Sequence, residues 1–182
     1  MPAVTKVLQL QVFDTDLGVL LLVWQEDLLV RLRYGGEVTE SLEQELGSGQ
    51  EVVTSVSLLM RQAQEQLTRF ASGEAVSLGD VSLDMRGRTS FQVRTLAACR
   101  KIPWGSVVSY GELARRIGKP RAARAVGSVM KSNRHPLVVP CHRVISANGG
   151  LGGYSADDGL CTKARLLSQE GIGKYADAMG LG

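Results

Sequence analysis

The sequence has few of the residues that bind metals or form disulfide scaffolds. Its 182 residues include three cysteines and two histidines, and neither type occurs before Cys99. An odd cysteine number without a CxxC pair argues against a disulfide framework and favours a reducing, intracellular setting. Two histidines and three scattered cysteines also make a poor ligand set for zinc. We therefore expect no metal and no other cofactor.

Long apolar runs are absent as well. The longest, such as Val19–Trp24, are far too short to cross a bilayer. The N-terminus lacks a basic stretch followed by a clean apolar segment, which a signal peptide would have. These absences predict an intracellular protein without a membrane partner.

Charge is unevenly distributed along the chain. The net charge is only +3, but residues 1–90 carry most of the acidic residues, whereas Arg94–Lys131 is rich in Lys and Arg. Two halves of different charge suggest that one half meets a polyanion. The composition of the sequence changes near Arg86–Arg88. We therefore predict an N-terminal α+β domain over 1–86 and a second domain over 87–182.

The first half has the pattern of an antiparallel meander. Val7–Phe13, Val19–Trp24 and Leu28–Tyr34 are apolar segments separated by polar turns, which predicts three short strands. Apolar residues at helical spacing predict a helix over Ser55–Phe70. Val81–Met85 is a candidate for one more strand.

The second half is predicted to be mainly helical. A helix should start at Thr89 or Ser90, and a capping box at Ser109–Glu112 should open another. The remaining predicted segments are a helix over Arg121–Lys131, an apolar strand over Leu137–Pro140, a helix over Leu160–Gln169 and a loose Gly-rich tail after Gly171.

The two central helices with a Gly-containing turn form a helix-turn-helix pattern. On the second helix, one polar and basic stripe is formed by Arg121, Arg124, Ser128 and Lys131. The stripe is open to two interpretations: a solvated surface face, or a face that contacts DNA phosphates.

Cys141 is the strongest candidate for chemistry. A buried cysteine is usually a packing residue. We assign that role to Cys99 and Cys161, and from its neighbourhood alone it stays open for Cys141 as well. Cys141, however, precedes His142, and a nearby imidazole can make a thiolate at neutral pH. Since neighbouring residues on a strand point to opposite faces, His142 would act through a water molecule or a bent backbone.

Pro140–Ile145, with the sequence PCHRVI, resembles the active-site motif of the O6-alkylguanine-DNA alkyltransferases. The resemblance is strong from Phe91 to Gly171 and weak before residue 85. Further segments follow the order of that family: Ser109-Tyr110, Arg121–Gly127, Asn133, Gly152–Ser155, Leu166-Leu167 and Glu170-Gly171.

The resemblance implies a role for each matching residue. Cys141 would accept the alkyl group, His142 would activate it through a water, and Glu170 would orient His142. Arg124 would fill the gap left by the flipped guanine, because O6 in stacked DNA is out of reach of a buried thiolate. Tyr110 would rotate the nucleotide and donate a proton toward guanine N3.

The remaining implied residues form the pocket and the DNA contacts. Asn133 would brace the turn around Cys141, the carbonyls of Cys141 and Val144 would accept from the exocyclic amine of guanine, and the N–H of Ser155 would face O6. Met130 and Tyr154 would wall the pocket. The implied contacts to the DNA backbone are Gln92, Gly111, Lys119 and Ala147.

The resemblance also implies a fold and a reaction. The fold would be α+β, with an N-terminal antiparallel sheet and helices, then a helical domain with a winged helix-turn-helix. The reaction would be direct-reversal DNA repair by a single-turnover transferase, with O4-alkylthymine as a second candidate substrate. The partner would be double-stranded DNA containing O6-alkylguanine, bound by a monomer in a bacterial cytoplasm or a nucleus.

One departure from the family and two rival functions leave alternatives open. The segment Ala156–Gly159 is longer and more acidic than the corresponding loop of the family, and its two aspartates should repel phosphate. A non-catalytic sensor of DNA damage and a cysteine hydrolase using Cys141, His142 and Glu170 are the rival functions. The number of turnovers separates all three: one, none or many.

Overall fold

The computed structural model describes residues 7–38, 51–53, 56–155, 159–177 and 179–180. The chain divides into two compact units, Met1–Asp84 and Met85–Gly182. In the described part of the chain, no helix combines the length and the apolar character that crossing a membrane requires.

The first unit is built on the predicted meander. Strands β1 (Val7–Thr15), β2 (Gly18–Gln25) and β3 (Leu28–Tyr34) are antiparallel, which confirms the three expected strands. Glu26 and Asp27 link β2 to β3 with φ values of 54° and 59°, and positive φ at both central residues is what a type I′ hairpin turn requires.

The sheet has a fourth strand that the sequence analysis missed. Strand β4 (Glu51–Val53) runs parallel to β1, so the sheet is mixed and has the order β3-β2-β1-β4. The predicted strand over Val81–Met85 is wrong. Leu83 alone forms a β-bridge, to Leu29. The Leu29 N–H donates to the Ser82 carbonyl, and the Leu29 carbonyl accepts from the Asp84 N–H, so the pairing extends no further.

Helix α1 (Leu58–Ala71) completes the first unit. The Ser57 hydroxyl accepts a hydrogen bond from the backbone N–H of Met60 and so caps the helix start. The helix buries one face at helical spacing, with Met60, Ala63, Leu67 and Phe70 in the core. The predicted helix is thus confirmed, although it begins three residues later than expected.

The helices of the second unit begin at polar caps. Before helix α2 (Ser90–Arg100), Thr89 and Gln92 exchange side-chain and backbone hydrogen bonds in a full capping box. The capping box predicted at Ser109 is only half formed at helix α3 (Tyr110–Arg116). Ser109 accepts from the N–H of Glu112, but the Glu112 carboxylate pairs with two following arginines instead of returning to the cap.

Helix α4 (Ala123–Lys131) packs against α3 and completes the predicted helix-turn-helix. Its apolar face is buried through Val126, Val129 and Met130. Two short parallel strands, β5 (Val108–Ser109) and β6 (Val144–Ile145), bring the chain after the active-site motif beside the start of α3. These elements form the helical domain that the sequence predicted.

The segment between α4 and β6 is a buried turn and not the predicted strand over Leu137–Pro140. Leu137 has a φ of 68°, and Val139 N donates to the His135 carbonyl at 2.8 Å. Cys141–Arg143 then forms one turn of 3-10 helix. Since no strand is present, the strand argument for the direction of His142 does not apply.

The C-terminal part holds helix α5 (Leu160–Gln169), as predicted, and helix α6 (Lys174–Asp177). The expectation of a loose tail after Gly171 is wrong over α6, because Tyr175 packs in a core cluster with Ile145, Ala164 and Leu167. Of the acidic segment Ala156–Gly159, residues 156–158 lie outside the described residues.

Candidate active site

Cys141 lies where the buried turn opens onto a pocket. The residue is only 7 % exposed, yet it lines a cavity of about 440 Å³. The turn holds the backbone of Cys141 closely, since its N–H donates to the Val139 carbonyl at 2.7 Å. The sulfur is therefore fixed at the pocket wall and shielded from bulk water.

Asn133 connects this turn to the sulfur. Its side-chain Nδ2 donates to the Val139 carbonyl at 3.0 Å and lies 3.2 Å from Cys141 Sγ, while its Oδ1 accepts from the N–H of His135 at 3.0 Å. One amide thus braces both ends of the turn and supplies a hydrogen bond that favours the thiolate.

The resting state of Cys141 is nevertheless the thiol. Burial raises the pKa of Cys141 above its usual range, and the Asn133 hydrogen bond and the charge of Lys163 oppose this only in part. A nucleophilic thiolate at neutral pH therefore requires a base that removes the proton.

A buried charge network lies next in the chain. His142 Nε2 is 2.8 Å from Glu170 Oε1, and Arg143 donates to both oxygens of the same carboxylate through Nε and Nη2 at 2.9–3.1 Å. The backbone N–H of Gly105 also donates to Glu170, at 3.2 Å. The carboxylate is fully satisfied although its side chain has no exposed surface.

The network fixes the protonation states of its members. Burial alone would raise the pKa of Glu170, but the hydrogen bonds from His142 and Arg143 outweigh it and lower the pKa below the usual range. Burial lowers the pKa of His142 despite the nearby carboxylate. His142 is therefore neutral at pH 7 and donates through Nε2 to the ionised Glu170, which makes Nδ1 its basic nitrogen.

Arg143 anchors the network to the chain before β5. Its Nη1 donates to the Ile102 carbonyl at 2.6 Å, and its guanidinium lies 5.9 Å from the Trp104 ring centroid. The sequence analysis quoted Arg143 within its motif but assigned it no role. Its role depends on a contact with Glu170, 27 residues further along the chain, which no local pattern reveals.

Lys163 is a second residue that the sequence analysis missed. It lies on α5 with no exposed surface, and its Nζ donates to the carbonyls of Val144 and Leu151 at 2.6 Å and of Gly153 at 3.4 Å. It thus ties the loop of the pocket wall to β6. Burial lowers the pKa of Lys163 to about 8.

Tyr110, at the start of α3, forms another part of the pocket wall. Its hydroxyl donates to the Gly153 carbonyl at 3.4 Å, and burial, followed by the nearby Cys141, raises the pKa of its phenol. The loop passes so close that a Cβ on Gly152, where φ is 71°, would lie 3.0 Å from the Tyr110 ring and from Ser146 Oγ. Only glycine fits there without strain.

Three of the four other predicted pocket residues line the cavity, and Val144 does not. Met130, Tyr154 and Ser155 line the cavity, and Ser155 Oγ donates to the Lys131 carbonyl at 3.1 Å. Val144 is fully buried outside the lining, and its carbonyl already accepts from Lys163. Lining residues that the sequence analysis did not name as pocket residues are Gly127, Lys131, Ser146, Gly152 and Gly153.

The basic stripe is exposed, as its spacing predicted, although Arg121 precedes α4, which begins at Ala123 and not at Arg121. Arg124 and Lys131 face solvent, on the opposite side from the buried Val126 and Val129. Among the other expected DNA contacts, Lys119 and Ala147 are exposed and Gly111 is half-buried. Gln92 is also half-buried, and its carboxamide oxygen is used by the cap of α2.

Within the described ranges, no group of three His, Cys, Asp or Glu side chains is arranged to hold a metal ion. Cys99 is buried in α2 and Cys161 is partly buried on α5.

Comparisons with known proteins identify relatives of this chain. A family model described as "6-O-methylguanine DNA methyltransferase, DNA binding domain" matches residues 90–172. A methylated-DNA–protein-cysteine methyltransferase of Mycolicibacterium paratuberculosis is 39% identical, over 86% of this chain and 88% of the relative. A constitutive one of Bacillus subtilis is 35% identical, over 87% and 93%.

Solved structures give a similar result. The crystal structure of Mycobacterium tuberculosis OGT in complex with DNA superposes with a TM-score of 0.72 at 36% identity, covering 92% of this chain and 94% of that one. An O6-methylguanine-DNA methyltransferase from Pyrococcus kodakaraensis is similar in fold, with a TM-score of 0.67 at 24% identity over 91% and 99%.

Proposed function

The chain belongs to the methylated-DNA–protein-cysteine methyltransferases, and we propose from this that it repairs alkylated DNA by moving an alkyl group from O6 of guanine to Cys141. The observation that carries the proposal is the position of the Cys141 thiol. It lines an open pocket, and the adjacent His142 is hydrogen bonded to the buried Glu170. The family indicates the reaction, and this geometry supports Cys141 as its nucleophile and His142 as its base.

The reaction begins with loss of the thiol proton. Nδ1 of His142 is the basic nitrogen, so it takes the proton from Cys141, with a water molecule as the carrier. Glu170 stabilises the imidazolium that results, as a carboxylate does in other nucleophile–histidine pairs. The hydrogen bond from Asn133 and the charge of Lys163 favour the thiolate once it forms.

The thiolate then displaces guanine at the alkyl carbon. The S–C bond forms while the C–O6 bond breaks, and the electron pair of that bond passes into the purine. Tyr110 donates a proton toward guanine N3, so that the leaving base is neutral. The displacement needs no cofactor, because the thiolate supplies the electron pair for the new bond and guanine is the leaving group.

The pocket must hold a base taken out of the duplex. Met130 and Tyr154 would enclose the ring, the Cys141 and Val144 carbonyls would accept from its exocyclic amine, and the N–H of Ser155 would face O6. The Val144 carbonyl also accepts from Lys163, and a carbonyl oxygen has two lone pairs for these two donors.

The exposed stripe of α4 is the surface proposed for DNA. Arg124 would enter the stack where the flipped guanine had been, which offsets part of the unstacking cost of a few kcal/mol. Lys131 lies further along the same stripe. The backbone contacts proposed to fix the duplex on this face are Gln92, Gly111, Lys119 and Ala147.

The product makes the protein a single-use transferase. A thioether on Cys141 is stable, and none of the described side chains that line the pocket is an activated nucleophile placed to remove it. We propose that a monomer acts once on double-stranded DNA containing O6-alkylguanine, and that O4-alkylthymine is a second substrate.

Stoichiometry tests this function against its rivals. Intact-mass measurement after incubation with excess duplex DNA containing O6-methylguanine should give one added methyl per protein and one repaired guanine. A sensor would gain no methyl, and a hydrolase would repair many guanines while its own mass stayed unchanged. Either of these results would reject the transferase.

A further inference from the structure

A second basic surface lies beside the helix-turn-helix. It is a shallow groove of about 430 Å³ between the outer face of α2 and the end of α3, and its lining residues are Arg94, Ala97, Ala98, Lys101, Arg116 and Ile117. The α2 residues are spaced i, i+3, i+4 and i+7, so they share one helix face. None of them takes part in the active site described above.

The charge of this groove is barely compensated. Of the whole chain's 21 Lys and Arg residues 16 lie in residues 85–182, against 5 of its 18 Asp and Glu residues. Arg116 pairs with Glu112 at 3.4 Å. Arg94 and Lys101 are exposed and form no ion pair with any residue that the structure describes.

The shape and spacing of the groove suit a nucleic-acid backbone. Lys101, the C-cap of α2, follows Arg94 by seven residues, which is about 10.5 Å along the helix axis. Two cations this far apart can reach different phosphates of one strand, since successive phosphates rise by about 3.4 Å along the duplex axis. The floor between the two cations consists of Ala97 and Ala98, whose small side chains let a backbone approach closely.

The groove also adjoins the proposed DNA face. Ile117, at its edge, is the C-cap of α3, and the turn that follows contains Lys119, one of the proposed backbone contacts. DNA held at this turn would therefore lie beside the edge of the groove.

We propose that this groove binds the phosphate backbone of the DNA flanking the damaged site, through Arg94 and Lys101 with Arg116 beside them. The proposal rests on the proposed function and extends its DNA footprint beyond the helix-turn-helix. Each phosphate neutralised by a basic side chain releases about 0.9 counterions. The groove should therefore steepen the dependence of DNA affinity on salt.

The test compares two double variants by fluorescence anisotropy with an unmodified duplex of about 25 base pairs, two to three helical turns. Arg94→Gln with Lys101→Gln should reduce the slope of log K against log salt by about 1.8. The control, Arg61→Gln with Arg165→Gln, removes the same charge from exposed positions on α1 and α5 and should keep the wild-type slope. Both variants should react normally with free O6-benzylguanine.

Duplex length separates the outcomes. On a duplex of about 10 base pairs, one helical turn, the groove variant should bind like wild type, since the flanking DNA is missing. A wild-type slope for the groove variant on the long duplex overturns the proposal. So does a loss confined to cooperative binding at high protein concentration, which would assign the groove to a neighbouring protein. A reduced slope for the groove variant, together with wild-type protein that gains no methyl from O6-methylguanine DNA, would reject the proposed function and leave the groove supported.

Discussion

Replacing Glu170 by glutamine tests the buried network most severely. The change removes a negative charge that has no exposed surface and that accepts hydrogen bonds from Arg143, His142 and Gly105. Arg143 would keep its positive charge in a nearly buried position. The NH2 group of the new glutamine side chain would face N–H donors, with which it cannot form hydrogen bonds. Removing one partner of a buried pair costs about 3–5 kcal/mol.

The expected effect is large enough to see in a melting curve. For a unit of 98 residues, 1 kcal/mol corresponds to a shift of about 4–8 °C, so the second unit should melt at least about 12 °C lower. His142 would also lose the acceptor that sets its tautomer. Transfer from free O6-benzylguanine, which involves no DNA binding, should slow by roughly 100-fold or more.

Glu112→Gln is the matched control. Glu112 also pairs with two arginines, but on the surface, where such pairs contribute little. It should leave both the melting curve and the reaction nearly unchanged. If Glu170→Gln melted within about 2 °C of wild type and reacted at the same rate, the assignment of a structural and orienting role to this network would be refuted.

Three further predictions follow from the same structure. Arg124→Ala should slow repair of duplex DNA far more than reaction with free O6-benzylguanine, because the free base needs no flipping; equal losses on both substrates would contradict this role. Gly152→Ala should lower stability by about 1 kcal/mol or more through its positive φ and slow transfer by displacing Tyr110. At Gly149 φ is also positive, but an added Cβ would meet no atom within 4 Å, so Gly149→Ala should lower stability alone. Equal transfer rates in the two variants would refute the contact between Gly152 and Tyr110. The pKa of Lys163 is about 8 when folded and 10.5 when unfolded, so between these values the unfolded chain holds the extra proton and rising pH favours folding. The difference in unfolding free energy between wild type and Lys163→Met should therefore widen from pH 8 to 10, by up to about 1.4 kcal/mol per pH unit. A constant difference would argue against a buried ammonium.

Local patterns were sufficient for the parts of the fold that depend on neighbouring residues. The three strands of the meander and the helix over Leu160–Gln169 follow from hydrophobic periodicity and turns, and the structure has them. The exposed stripe with Arg124 follows from helical spacing alone. Cys141 and His142 were identified by a resemblance, since a Cys-His pair by itself fits a packing residue equally well.

Long-range contacts explain what the sequence did not reveal. Leu137–Pro140 has the apolar composition of a strand, but a positive φ at Leu137 turns it into a buried loop. Lys163 resembles any solvated helix lysine until the fold surrounds it with three carbonyls. Strand β4 is three residues long and pairs with a strand more than forty residues away, so no local period marks it.

The most direct test of the account is the location of the transferred group. Wild-type protein would be incubated with duplex DNA containing O6-methylguanine, digested and sequenced by tandem mass spectrometry. The account predicts a single methyl on the sulfur of Cys141 and none in a Cys141→Ala variant, which should still bind the DNA. A methyl on Cys99 or Cys161, or transfer that persists in Cys141→Ala, would contradict it.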